Sequence, residues 1–156
     1  ILSDRIAVQL IPVIIFVTSG AMAFATGTSW GTMAIMLPVA IPLVVGLGGV
    51  DVLPGGALDA ILLGSISSVL AGAIWGDHCS PISDTTVLSS TASACDHVDH
   101  VKTQLPYALA VGILSMLLGN IGTAYGLPPI AGLVIGVILL AILLRTTGVL
   151  VHDTQA

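Results

Sequence analysis

The sequence predicts an all-α membrane protein, a polytopic helical bundle with broken or re-entrant helices. Three observations carry that expectation. Charged residues are 7% of the 156-residue chain and hydrophobic ones 56%, with a mean hydropathy of +1.13. Soluble domains carry about 25% charged residues. Eight aspartates, three basic residues and no glutamate cannot make a water-facing surface. Second, the charges are segregated: residues 6–50, 60–76 and 103–144 are charge-free runs of 45, 17 and 42 residues. A spanning helix needs about 20 mostly apolar residues, so the long runs hold two spans each and the short one about one. Third, two patches rich in glycine and hydroxyls interrupt the apolar sequence, at Thr26–Thr32 and Asp77–Thr86.

The expected spans are about 6–25, 30–47, 58–76, 105–125 and 129–144, with a polar broken segment over 77–94. Leu53-Pro54-Gly55-Gly56 reads as a turn before the third span. Leu127-Pro128-Pro129 closes a hairpin between the last two, because Pro-Pro stops one helix and suits the first turn of the next. Pro12, Pro38 and Pro42 suggest irregular backbone in the first two spans, which survives at membrane depth only where protein or a cavity surrounds it. Trp30-Gly31 and Trp75-Gly76, 45 positions apart, hint at a degenerate repeat. Chain 1–156 starts at Ile1 without a readable signal peptide, and reads as the C-terminal part of a single transmembrane transporter domain whose N-terminal half lies upstream. The expected location is the plasma (inner) membrane.

Asp77-His78-Cys79-Ser80-Pro81-Ile82-Ser83-Asp84-Thr85-Thr86 combines two carboxylates with four hydroxyls at the end of a span. Hard cations take oxygen ligands, and Pro81 frees neighbouring carbonyls by disturbing the helix. An ionisable group beside a span is a functional candidate. The expected cation and proton site is therefore Asp84 first and Asp77 second, with Ser80, Ser83, Thr85 and Thr86; the metal at the two carboxylates is Na+. Thr26, Thr28, Ser29 and Thr32 are supporting broken-helix hydroxyls, or else simply bond back to their own helices.

Cys95-Asp96-His97-Val98-Asp99-His100 has the ligand types of a transition-metal site and the histidines of a pH sensor. A solvated polar loop is the preferred reading beside Lys102. Cys79 and Cys95 lack the spacing of a zinc knuckle and suggest no disulfide framework. Three basic residues cannot neutralise a nucleic-acid backbone, and no HExxH, GxSxG or P-loop supports an enzyme. No cofactor is expected beyond transported Na+ and H+. Lys102 and Arg145, separated by two spans, should share one side of the membrane.

The string Gly76 to Thr86, the stretch Asp96-His-Val-Asp-His-Val-Lys-Thr-Gln-Leu-Pro-Tyr-Ala108 and Phe24-Ala-Thr-Gly-Thr-Ser-Trp-Gly-Thr-Met33 together resemble the NhaC family of Na+/H+ antiporters. The resemblance implies a secondary carrier with inverted repeats, of which this chain would be one half. It also implies exchange of Na+ for H+ at a shared carboxylate. Burial favours the protonated acid and a bound cation the ionised one, so the two ions compete. Carriers of organic acids or amino acids coupled to Na+ or H+ are the alternative. A non-transporting membrane anchor or complex subunit is the alternative of another class, though it would not need the polar breaks. The expected partners are the two ions, the lipid bilayer and the rest of the carrier, with homo-oligomerisation left open.

Overall fold

The computed structural model describes residues 9–48 and 57–148. The start of the first expected span at residues 6–8 and the turn at 53–56 lie outside them. Six α-helices follow in order: α1 Ile11–Thr26, α2 Ser29–Gly48, α3 Ala57–Cys79, α4 Asp84–Ala92, α5 His97–Leu114 and α6 Pro129–Thr147. From Ser115 to Gly122, α5 continues as π-helix. The described residues contain no strand. Among the described residues, four helices are long and apolar enough to cross a membrane, over Ser29–Leu47, Ala60–Cys79, His97–Gly122 and Pro129–Thr147. The described part of the first span, α1, is an apolar helix of 16 residues.

Two expectations need correction. Pro38 and Pro42 do not break α2, which stays helical through both. Each proline removes one backbone donor, but the resulting free carbonyls do not end the helix. The fifth helix begins at His97 rather than near residue 105, because Asp96 caps it.

α1 and α3 run parallel and nearly touch along their backbones. Gly64 faces Pro12, Gly72 faces the Phe16 backbone and Gly76 faces the Gly20 backbone; a Cβ on Gly76 would lie 2.8 Å from Gly20 Cα. Lipid tails are as apolar as leucine, so helices in a bilayer associate through such close small-residue packing rather than through a hydrophobic drive. α2 returns antiparallel, placing Ala40 and Val44 against Ile11 and Ile15 of α1 and Val69 of α3. Trp75 ties this unit to α5. Its ring stacks on Phe16 with centroids 5.4 Å apart, and its indole N–H donates to the Ala108 carbonyl at 2.8 Å. Gly112 leaves the space the indole occupies. Trp30 sits in an unlike place, 82% exposed at the start of α2, so the two Trp-Gly pairs are not equivalent.

After the π-helical stretch, Gly126 takes a left-handed φ of 96°. The Leu127 N–H reaches back to the Gly122 carbonyl at 2.8 Å, and Pro128-Pro129 open α6. α6 then packs antiparallel on the π-helical stretch, Gly132 and Gly136 facing Leu118. Most large side chains of α6 are exposed, as on a face that meets lipid or other protein.

Candidate ion-binding site

The two polar breaks meet at one end of the bundle. α1 ends at Thr26 and Gly27 adopts a left-handed φ of 68° as its C-cap. A side chain at Gly27 would strike the Ile82 carbonyl oxygen at 2.7 Å, so glycine is what lets the second break lie against the first. From that second break, the Ser80 hydroxyl donates to the Phe24 carbonyl at 2.8 Å. Because α1 and α3 are parallel, their C-terminal ends come together without any intervening span.

α3 stops at Cys79 because Pro81 cannot continue the hydrogen-bond ladder. Ser80 N–H bonds to Asp77 O at 3.0 Å and Ser83 N–H to Ser80 O at 3.4 Å, a tight turn that ends where α4 begins. Asp77, on the last turn of α3, is 5% exposed. Its Oδ2 accepts from the Thr85 hydroxyl at 3.3 Å, and its Oδ1 has no hydrogen-bond partner among the described residues. Thr85 Oγ1 lies 2.7 Å from Ser83 Oγ. Thr85 has one hydroxyl proton, and a carboxylate can only accept it. Ser83 must therefore donate to Thr85 and Thr85 to Asp77, a directed chain ending on a carboxylate. Ser80 and Ser83 are fully enclosed, and Thr86 is buried in the first turn of α4.

Asp84 is placed differently. It is exposed, and its Oδ1 accepts the Thr85 N–H at 2.8 Å. That carboxylate sits at the positive end of α4, as first-turn acids commonly do. The order expected from sequence, Asp84 before Asp77, is the reverse of their burial. The hydroxyls of the first break mostly serve their own helices: Thr26 donates to Met22 O at 2.9 Å, buried Thr32 to Thr28 O at 3.0 Å, and Thr28 Oγ1 takes the Gly31 N–H at 3.4 Å. Ser29 is half-buried where α2 begins.

The 95–100 segment is not the polar loop the sequence suggested. Asp96 Oδ1 accepts from the N–H groups of Val98 at 2.9 Å and Asp99 at 3.1 Å, an N-cap that starts α5 eight residues early. An aspartate three residues ahead of another acid is the signal that gives such a start away. One turn carries both histidines towards α4. His97 Nδ1 meets Ser90 Oγ at 3.0 Å and its Nε2 meets Pro81 O at 2.6 Å; His100 Nε2 meets Ser89 Oγ at 3.2 Å. With both rings so engaged, His-x-x-His does not assemble a metal centre. Among the described residues no cluster of three or more His, Cys, Asp or Glu is placed to hold a metal ion. Gln104, one face further along α5, donates to His78 O at 2.8 Å. Sequence reasoning gave no role to Gln104 or to the buried Asn120, both amides within a charge-free run, and read Trp75 only as part of a repeat.

Spans joined by polar breaks, with a buried carboxylate where the breaks meet, are the build of an integral multi-pass membrane protein with a functional polar site. The chain belongs to the Na+/H+ antiporter family, whose model matches residues 1–123. It is 52% identical over 111 residues to an uncharacterized protein of Haemophilus influenzae, the match covering 71% of this chain and 20% of that protein. It is 36% identical to a malate-2H(+)/Na(+)-lactate antiporter of Bacillus subtilis, over 67% of this chain and 20% of the relative. It is 36% identical to an uncharacterized Na(+)/H(+) antiporter of Haemophilus influenzae, over 68% of this chain and 20% of the relative. The chain thus spans about a fifth of the length of these relatives. No solved structure matches it.

Proposed function

We propose that this chain carries the cation- and proton-binding carboxylate of an antiporter that exchanges Na+ for H+ across the plasma membrane, and that the carboxylate is Asp77. The observation that carries this is the burial of Asp77, its Oδ1 without a partner among the described residues, at the junction of both breaks. A proton or Na+ would each supply the partner that Oδ1 lacks among the described residues, and a carrier that moves only when one of them is bound exchanges one ion for the other. Na+ at Oδ1 would find the hydroxyls of Ser83 and Thr85 and the turn carbonyls as further oxygen ligands. The remaining ligands would come from the rest of the carrier, which the relatives' length supports.

The test is Na+-driven proton release from proteoliposomes holding the complete carrier. Asp77→Asn should abolish it while membrane insertion persists; Asp77→Glu should keep part of it with altered half-saturating Na+. Asp84→Asn should have a much smaller effect. Normal exchange in Asp77→Asn, with loss in Asp84→Asn, would return the role to Asp84. A second reading, Na+- or H+-coupled exchange of an organic acid, is favoured by the name of the Bacillus subtilis relative. Organic acid that stimulates Na+ flux would distinguish it from simple antiport.

A further inference from the structure

The end of α3 frees two backbone carbonyls. In a continuous helix each carbonyl accepts from the N–H four residues on. Pro81 has no N–H, so the Asp77 carbonyl takes the Ser80 N–H at 3.0 Å instead. The Ile82 N–H turns to Ser80 Oγ at 3.3 Å, which leaves the His78 carbonyl without its ladder partner. The Thr85 N–H goes to Asp84 Oδ1 at 2.8 Å, which does the same to the Pro81 carbonyl. Helix ends routinely free such carbonyls, and something has to satisfy them.

One helix supplies both donors. Gln104 Nε2 donates to His78 O at 2.8 Å, and His97 Nε2 meets Pro81 O at 2.6 Å. A carbonyl can only accept, which fixes the NH2 of the amide and an N–H of the imidazole towards the turn. Positions 97 and 104 are seven residues apart on α5, about two turns, so they share one face. Both side chains are half-buried. Between the two held carbonyls lie Cys79 and Ser80, both buried, and Asp77 stands just before them. Across this turn the Thr85 hydroxyl reaches Asp77 Oδ2 at 3.3 Å, already longer than the about 2.5–3.0 Å usual for such a bond. A small change in the turn therefore decides whether that contact is made. Neither Gln104 nor His97 is hydrogen-bonded to the carboxylate; α5 acts on it through the backbone alone. Each carbonyl keeps a second lone pair, so being held from α5 leaves it able to face an ion.

We propose that Gln104 and His97 are positioning residues of the Asp77 site, setting its Na+ affinity by holding the His78 and Pro81 carbonyls and with them the approach of Thr85 to Asp77. The proposal rests on the reading of Asp77 as the ion-binding carboxylate and adds the groups outside the site that tune it. Half-saturating Na+ and maximal rate are read separately, from Na+-driven proton release in proteoliposomes holding the complete carrier. Gln104→Met keeps the length and helix propensity of the side chain but has no donor. It should raise half-saturating Na+ roughly three- to tenfold, as the loss of one hydrogen bond does, with the maximal rate held within twofold. His97→Phe should do the same. Gln104→His offers an N–H at about the same reach and should bring half-saturating Na+ back to within twofold of the wild type, a rescue that packing alone does not provide. Thr103→Ala is the control, since that hydroxyl donates within α5, and should leave both values unchanged. Unchanged half-saturating Na+ in Gln104→Met and His97→Phe would overturn the proposal. So would a rise that Gln104→His does not reverse, or failure of both loss variants to assemble, which would make the brace a matter of folding alone. Failure of the Asp77 reading would show separately, as proton release persisting in Asp77→Asn.

Discussion

Gly76→Ala tests the packing that positions the candidate carboxylate. The added Cβ would stand 2.8 Å from Gly20 Cα and 2.7 Å from Gly20 C. Carbon atoms rest at about 3.5–4.0 Å and the Gly20 carbonyl oxygen stands closer still, so α1 and α3 must part by ~1 Å or more. Overpacking of that kind costs about 1–3 kcal/mol. Alanine returns up to ~1 kcal/mol of helix propensity, which leaves a net loss of about 0–3 kcal/mol. The same parting stretches the Ser80 hydroxyl bond to Phe24 O from 2.8 Å to about 3.8 Å, where it no longer counts as a hydrogen bond. Losing a bond of ~1 kcal/mol corresponds to about fivefold in affinity, so half-saturating Na+ should rise roughly fivefold. Gly46→Ala, with nothing within 4 Å of its Cβ among the described residues, is the control and should be neutral or slightly stabilising. The assays are unfolding of the purified carrier in mixed detergent and Na+-dependent proton release. If Gly76→Ala matches Gly46→Ala in both, the parallel α1–α3 contact is not as described.

Thr85→Val removes the donor to Asp77 Oδ2; at about 1.5–3 kcal/mol for a bond to a charged group, Na+ affinity should fall ten- to a hundredfold, and Thr85→Ser should restore most of it. Trp75→Phe keeps the stack on Phe16 but loses the N–H bond to Ala108 O, which should cost about 1 kcal/mol of stability, measured by detergent unfolding. Lys102 lies near the start of α5 and Arg145 near the end of antiparallel α6. Cysteines at the two positions should therefore react with an impermeant reagent from the same face of the membrane, and labelling from opposite faces would contradict the hairpin.

Helical spans were legible wherever charge was absent, because insertion into lipid depends on composition more than on detail. The two breaks were legible too, since glycine, proline and hydroxyls gather there. Which carboxylate is buried was not. Asp77 and Asp84 are seven residues apart across a turn, and only the direction in which Pro81 throws the chain decides which faces inward. The closeness of the breaks depends on α1 and α3 running parallel, a pairing written in Gly20, Gly72 and Gly76 but readable only once the partners are known. The early start of α5 was present as an aspartate cap and was obscured by the polarity of its first turn. Pro38 and Pro42 misled in the opposite sense, because a long apolar helix tolerates the loss of single hydrogen bonds.

The contacts of His97 make the rim of the break indifferent to proton supply. Pro81 O can only accept, so Nε2 must carry hydrogen whatever the charge on the ring. The other nitrogen faces a hydroxyl that can turn. When the imidazole is neutral, Ser90 donates to Nδ1; when it is charged, Ser90 accepts from Nδ1 and sends its own proton to Val87 O at 3.0 Å. Val87 O also takes the Thr91 hydroxyl at 2.8 Å, so it is served in both cases. A single rotor absorbs the change, and the strut from α5 to Pro81 keeps its length. In the exchange proposed above the proton is a cargo, and acidity differs between the two faces of the membrane. This joint lets the local charge vary while the backbone around Asp77 stays where it is.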